Sequence, residues 1–232
     1  MRVRILNLLP KGPQPYQEIL DLQHQLHEEV RLGNAPDTFI VLEHEDTYTA
    51  GRRTQPGDVV NPNIPVVEAD RGGRITYHGP GQLVVYPIMQ VQPPVDVVRY
   101  VRLLEAGIID ALETLTDLPV TTVEGRSGVW LLREPDSSDP RKRLDRKICA
   151  IGVKFANDTT MHGLALNVKT NLDRFDEIVP CGIADATVTS LQAEGVDMDL
   201  ITVGRELIPN LVESLIDLRY PDRIFSLTEE RP

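Results

Sequence analysis

The sequence predicts one α/β domain. Three observations carry this. Short runs of strand formers alternate with stretches whose apolar residues recur at helical spacing. A length of 232 residues suits one domain without requiring a second. An apolar share of 41% is enough for a substantial core, beside an ordinary charged share of 25%. The domain is expected over residues 1–220, with a polar, frayed tail over 221–232.

Taken in order, residues 2–9 read as a strand closed by Pro10 and Gly12. Pro15 suits the first position of a helix, and Tyr16, Leu20, Leu26 and Val30 give its apolar stripe up to Gly33. His24 and His27 stand three apart on that helix. No Cys or carboxylate motif completes a metal site, so both are read as surface or rim residues. Thr38–Leu42 is apolar on both faces, which suits the interior of a sheet. The cluster Glu43-His44-Glu45-Asp46 reads as charges capping that strand, with an acid–base or metal site as the less common alternative. Residues 54–64 hold two prolines and a glycine and read as a loop, and residues 65–68 as a short strand.

A second amphipathic helix runs from Val97 to about Thr116, after the Pro93-Pro94 break. Strands are expected over 120–123 and 129–132, separated by the Gly125-Arg126-Ser127-Gly128 turn. Residues 133–146, charged and rich in Pro and Ser, read as a long mobile loop. Strands over 147–155 and 162–168, a linking segment over 173–179 and a turn at Pro180-Cys181-Gly182 follow. A last helix spans 202–218, bent by Pro209.

Composition excludes several classes. A net charge of −11 argues against nucleic acid as the main partner. No apolar run approaches the roughly 20 residues that span a bilayer, and Met1-Arg2-Val3-Arg4 leads into too short an apolar patch for a secretory signal. Two cysteines make no disulfide framework, and a reducing cytoplasm is the expected compartment. Neither a metal nor a cofactor is expected.

The most distinctive stretch is Arg71-Gly72-Gly73-Arg74-Ile75-Thr76-Tyr77-His78-Gly79-Pro80-Gly81-Gln82 and the strand formers after it. Its Gly and Pro content forbids a helix, so it reads as strand, tight turn, strand. Gly72 and Gly73 permit close backbone approach, with N–H groups turned to a polar ligand. Arg71, Arg74 and His78 set cationic or donor groups around the same turn. Of the cysteines, Cys149 lies in an apolar strand and reads as core. Cys181, between Pro and Gly, reads equally as a structural or a nucleophilic thiol. A thiol with an ordinary pKa near 8.5 needs a helper at neutral pH, and His78, His162 and Lys147 are the candidates. Spacing does not rank them.

The stretch from Arg71 resembles the signature of the lipoyl(octanoyl) transferases, the lipoyl-protein ligase B group. Three further segments resemble that family in its order: Lys147-Ile148-Cys149-Ala150-Ile151-Gly152, His162-Gly163-Leu164-Ala165-Leu166-Asn167 and Pro180-Cys181-Gly182. Residues 47–53 resemble a further segment, which would turn Arg52 or Arg53 to the site. The resemblance implies the biotin/lipoyl protein ligase catalytic-domain fold, a mixed sheet curved around a pocket with flanking helices. It implies transfer of an octanoyl group from octanoyl-acyl carrier protein to a lysine of lipoyl domains, in 2-oxoacid dehydrogenases and the glycine cleavage H protein. This is the first step of endogenous protein lipoylation. Cys181 would carry the acyl thioester and Lys147 would lower its pKa. Arg71, Gly72, Gly73, Arg74, Ile75, Thr76, Tyr77, His78, Ala150, Ile151, Gly152, Gly163, Leu164 and Ala165 would line the substrate pocket, and glycine-strand N–H groups would serve the oxyanion.

Two rivals stand beside this reading. An ATP-dependent lipoate or biotin ligase shares the fold and an Arg-Gly-Gly stretch but needs no nucleophilic cysteine. A non-catalytic binder of acyl groups or lipoyl domains needs neither Lys147 nor Cys181. A thioesterase, in which water takes the acyl group, is a weaker third.

Overall fold

The computed structural model describes residues 3–58, 64–178 and 186–220. Cys181, in the segment 179–185, and the tail 221–232 lie outside the described residues.

Eight strands form the main sheet: β1 (Arg4–Asn7), β2 (Thr38–Leu42), β6 (Gln82–Ile88), β7 (Val120–Val123), β8 (Arg126–Leu131), β9 (Asp145–Ala156), β10 (Thr159–Asn167) and β11 (Ala186–Val188). Their order is β1-β2-β6-β10-β9-β8-β7, with β11 also on β9. β1 runs parallel to β2 and β11 parallel to β9, and the other pairs are antiparallel, so the sheet is mixed. β3 (Thr47–Ala50), β4 (Val66–Glu68) and β5 (Thr76–His78) make a second, three-stranded sheet in the order β4-β3-β5.

The apolar runs of β2 and β6 are explained by layers on both sides. Phe39, Val41, Leu83 and Val85 face a core shared with helix α2 (Val97–Leu115) and helix α3 (Leu200–Ser214). Their neighbours Ile40, Leu42, Val84 and Tyr86 point the other way, onto Ile19, Leu26 and Val30 of helix α1 (Tyr16–Leu32). Alternate residues of a strand face opposite sides, so a strand between two helical layers must be apolar throughout.

Helix ends follow local chemistry. Asp96 and Asp199 cap α2 and α3 by accepting the Arg99 and Thr202 N–H groups. Gly33 ends α1 in the left-handed conformation, donating to Glu29 and Val30 carbonyls. The last helix is shorter than the sequence suggested: α3 stops at Ser214, and Ile216–Leu218 is a separate 3-10 turn.

One expectation needs refinement and another correction. Residues 133–146 form a mostly exposed connection, as expected, but one with structure of its own. They contain a 3-10 turn at Pro140–Arg143, and Arg146, at the start of β9, is 2% exposed and donates to Glu194 and Glu134 at 2.8 and 2.9 Å. A run of charges hid a buried arginine because its partner lies 48 residues on. His27, read as a surface residue, is buried and its Nε2 lies 3.0 Å from the Ala156 carbonyl. His24 is exposed.

Candidate active site

A cavity of about 390 Å³ opens between the glycine loop and strands β9 and β10. Of the pocket residues expected from the sequence, Arg71, Gly72, Gly73, Arg74, Ile75, Thr76, His78, Ala150, Ile151, Gly152, Gly163, Leu164, Ala165 and Lys147 line it. Tyr77 does not. It sits between Thr76 and His78 on β5, so its side chain takes the opposite face. There it packs edge-on against Phe175 at 5.4 Å and donates to Asp46 at 2.5 Å.

The glycine loop is held by its own first arginine. The Arg71 guanidinium, read from the sequence as a cationic or donor group at this turn, is largely buried. It donates to the carbonyls of Gly72, Arg74 and Thr49 and to the Thr49 hydroxyl, at 2.7–3.0 Å. The Gly72 N–H, expected to face a ligand, donates to Val153 O at 3.1 Å. Arg74 is paired with Asp58. The loop is thus a wall fixed on both sides. Gly51 shows why: a Cβ there would stand 2.6 Å from Gly73 O, so no other residue lets the loop approach. At Gly163, on the facing strand, a Cβ would stand 2.2 Å from Val85 O.

Strand register separates two ends of this cavity. Lys147 pairs with Trp130 on β8, and its ammonium lies 4.5 Å from the centroid of that buried indole. Such a face attracts a cation. Lys147 also lines a second cavity of about 50 Å³ together with Thr76, Gln82, Asn167, Phe175 and β11. β11 lies parallel to the start of β9, with Val188 opposite Lys147. Ala186, the first described residue after Cys181, lies opposite Asp145, and the strand runs from there to Lys147.

At the other end, His162 pairs with Val153, six residues up β9 from Lys147 and so roughly 20 Å away along the strand. Here the aromatic rings gather. His78 stacks on Tyr16 at 5.8 Å, and His44 lies 5.6 Å from His78. His44 Nδ1 is 3.0 Å from Gln14 O, which can only accept, so Nε2 takes the Tyr86 hydroxyl at 2.9 Å. Burial pushes His44 down to about 4 and holds His78 well below the ordinary imidazole value. His162 is lowered as well, by burial, against the opposing pull of Asp70. Its Nε2 donates to Asp70 at 2.7 Å, and Asp70 also pairs with Lys154. Its φ of +59° is uncommon for a residue with a side chain. The Gln23 side chain holds it there by accepting the His162 N–H at 2.8 Å.

Comparison with known proteins identifies the lineage. A family model described as the lipoyl protein ligase A/B catalytic domain matches residues 15–211. The chain belongs to that family. An octanoyltransferase from Thermobifida fusca is 52% identical over 188 residues, covering 80% of this chain and 78% of that protein. Among solved structures, a bipartite lipoate protein ligase from Thermoplasma acidophilum superposes with a TM-score of 0.67 at 17% identity, over 93% of this chain and 84% of that one. Biotin protein ligase from Aquifex aeolicus gives 0.55 at 15% identity, over 95% and 73%. Both likenesses concern the fold, the mixed sheet with flanking helices expected from the sequence.

Within this lipoyl protein ligase frame, sequence reasoning overlooked several cavity residues. Tyr16 and Tyr86 look like core positions, which they also are. Gly125, Arg126 and Ser127 look like an ordinary turn, yet all three line the cavity. Of the arginine pair, Arg53 lines the cavity while Arg52 borders a separate surface depression. The acidic cluster after β2 is structural: Glu43 accepts the Gly81 N–H at 2.9 Å and Asp46 the Tyr77 hydroxyl. Cys149 has no exposed surface, and burial drives its thiol far up.

Proposed function

We propose that this chain, as one catalytic domain over residues 1–220, transfers an octanoyl group from a carrier-protein thioester to a lysine of lipoyl domains through Cys181. One observation carries the reading: Lys147 stands at the junction of the acyl-sized cavity and the strand that leaves the Cys181 segment. The activity named for the half-identical relative agrees with it.

The chemistry balances without ATP. The Cys181 thiolate attacks the donor carbonyl, a new C–S bond forms, and the carrier's C–S bond breaks to release its thiol. The acceptor amine then attacks the acyl-cysteine, an amide forms, and the Cys181 sulfur leaves. Lys147 as a cation favours the thiolate, and as an acid and base it protonates departing sulfur and relieves the amine of a proton. The Trp130 face holds the ammonium in place, 4.5 Å from the ring centroid. His162, on β10 opposite Val153, stands roughly 20 Å along the sheet from Lys147 and does not share that task. The cavity walls from the glycine loop and from residues 150–152 and 163–165 hold the acyl chain.

Octanoyl-acyl carrier protein is the donor, and the lipoyl domains of 2-oxoacid dehydrogenases and of the glycine cleavage H protein are the acceptors. These partners are acidic as classes, so docking on a chain of charge −11 requires a local basic surface. The exposed Arg141 and Arg143 beside the Lys147 end supply it. The compartment is the cytoplasm; among the described residues no helix is long and apolar enough to cross a membrane.

Intact-protein mass spectrometry after incubation with octanoyl-acyl carrier protein, without ATP or magnesium, tests the reading. An octanoyl adduct that disappears on adding a lipoyl domain, with the acyl group recovered on its lysine, is expected. Product only with ATP would favour ligation instead, and an unmodified enzyme beside bound donor would favour a binder.

A further inference from the structure

A row of buried side chains runs beneath the cavity and joins its two ends. Asn167 Nδ2 donates to Thr189 O at 2.9 Å, Gln82 Nε2 to Asn167 Oδ1 at 2.9 Å, and His78 Nδ1 to Gln82 Oε1 at 2.7 Å. None of the four residues is more than 6% exposed. Thr189 follows β11 directly, and its N–H donates to Lys147 O at 2.9 Å. The row therefore begins one hydrogen bond from Lys147 and ends on the imidazole that stacks with Tyr16.

Its direction is forced. Thr189 O and Tyr77 O are carbonyls and can only accept. Asn167 must therefore turn its amide nitrogen to Thr189, and Gln82 must turn its own to Tyr77 O, at 3.3 Å, and to Asn167 Oδ1. Gln82 Oε1 is left for the imidazole, which has to donate from Nδ1. His78 is neutral, because burial lowers it, so its second nitrogen carries a lone pair and no proton. His78 lines the main cavity, whereas Gln82 borders only the smaller one.

We propose that Gln82 and Asn167 are positioning residues that lock His78 in the Nδ1–H tautomer, so that Nε2 meets the acyl site as an acceptor, in register with the strand beside Lys147. Two consequences follow. His78 takes an N–H or O–H donor, such as the incoming amine, and gives nothing to a carbonyl or an oxyanion. Displacement of β11 is felt at His78 through three side-chain hydrogen bonds. What the donor is rests on the transfer reading above; the tautomer does not.

The test has two arms. Long-range ¹⁵N–¹H spectra of the resting wild-type enzyme report the His78 tautomer, and a protonated Nδ1 beside a bare Nε2 is expected. A protonated Nε2 would overturn the proposal, whether or not any variant folds. Gln82→Met removes the acceptor opposite Nδ1. It should abolish the tautomer preference and slow single-turnover transfer from pre-acylated enzyme to a lipoyl domain by about tenfold, the scale of one lost hydrogen bond. Formation of the acyl-enzyme should change much less, whereas a site merely loosened would slow both halves alike. Equal slowing of both halves, or unchanged transfer, would also overturn it. A wild-type enzyme with the expected tautomer but no adduct on Cys181 would instead sink the transfer reading and leave the tautomer lock standing.

Discussion

The two ends of the cavity are built on opposite electrostatic plans. At one end a single ammonium, Lys147, is kept half-buried over an indole, next to the strand that leaves the Cys181 segment. At the other, three imidazoles are buried and driven neutral, each with one nitrogen committed to a fixed partner: Gln14 O for His44, Gln82 for His78, Asp70 for His162. One end keeps a cation on an aromatic face, and the other silences its imidazoles while Asp70 stays paired with Lys154 beside them. Polar residues thus serve both ends, and residue type alone does not say which end a histidine or lysine belongs to.

Breaking the charged end should have the largest effect. Cys181→Ser is expected to abolish the acyl adduct, and Cys149→Ala to retain most activity, because Cys149 is sealed in the core. Peptide mapping of the acylated enzyme decides, and an adduct on Cys149 would reverse the assignment. Lys147→Ala should lower transfer by about 10²–10⁴, the range of a general acid–base. Lys147→Arg separates the two roles. It should keep Cys181 reactive toward a small alkylating agent at pH 7 yet fail in amide formation, since an arginine does not give up its proton. Near-normal transfer by a folded Lys147→Arg would reduce the lysine to an electrostatic partner.

The neutral end should speak through stability. The buried imidazoles are depressed in the fold and titrate near 6.5 when unfolded, so the unfolded chain binds more protons as pH falls. Their contribution is complete above about 6.5 and is lost on the way down, toward about 4 for His44. Asp70, held low by His162 and Lys154, adds its loss only below the carboxylate range. Thermal melts should therefore fall in Tm between pH 7 and pH 4. His44→Gln should flatten that slope by on the order of 3 kcal/mol, the worth of a shift from 6.5 to about 4. A Tm independent of pH over that window would show that these rings titrate in the fold as they do in the unfolded chain.

A smaller effect is expected at the docking surface beside the charged end. Reversing Arg141 and Arg143 to Glu should raise the KM for octanoyl-acyl carrier protein several-fold at low salt, and the difference should vanish as salt screens it. An unchanged KM at low salt would remove this turn from the docking surface.

The sequence disclosed the walls of the cavity better than its ends. β2 and β6 were legible because a strand buried on both faces must be apolar at every position. The glycine loop was legible because Gly and Pro exclude a helix, and Arg71 lines the cavity as expected; that it also braces the loop was not legible, since its acceptors are backbone carbonyls, which no sequence pattern marks. The turn 125–128 and the strand β11 join the site only through pairing across the sheet, a long-range event with no local signal. The tautomer row is of the same kind, since Asn167 and Gln82 are 85 residues apart.

Tyr77 offers the finest cut between wall and core. It lies between two cavity residues in sequence, and strand alternation turns it away to Asp46 and Phe175. Tyr77→Phe keeps the ring and its packing and removes one hydroxyl. The hydrogen bond to Asp46 contributes roughly 1 kcal/mol net, so the loss should appear as a small drop in Tm. Octanoyl transfer should stay within about twofold of wild type, because the hydroxyl faces away from the acyl chain and a change of RT ln 2 is smaller than any single lost contact. Thr76→Val, one residue earlier and nearly the same shape, removes a hydroxyl from the wall shared by both cavities. The pair should separate cleanly, with stability lost at Tyr77 and transfer lost at Thr76. Transfer that falls more for Tyr77→Phe than for Thr76→Val would mean that β5 turns the other face to the substrate.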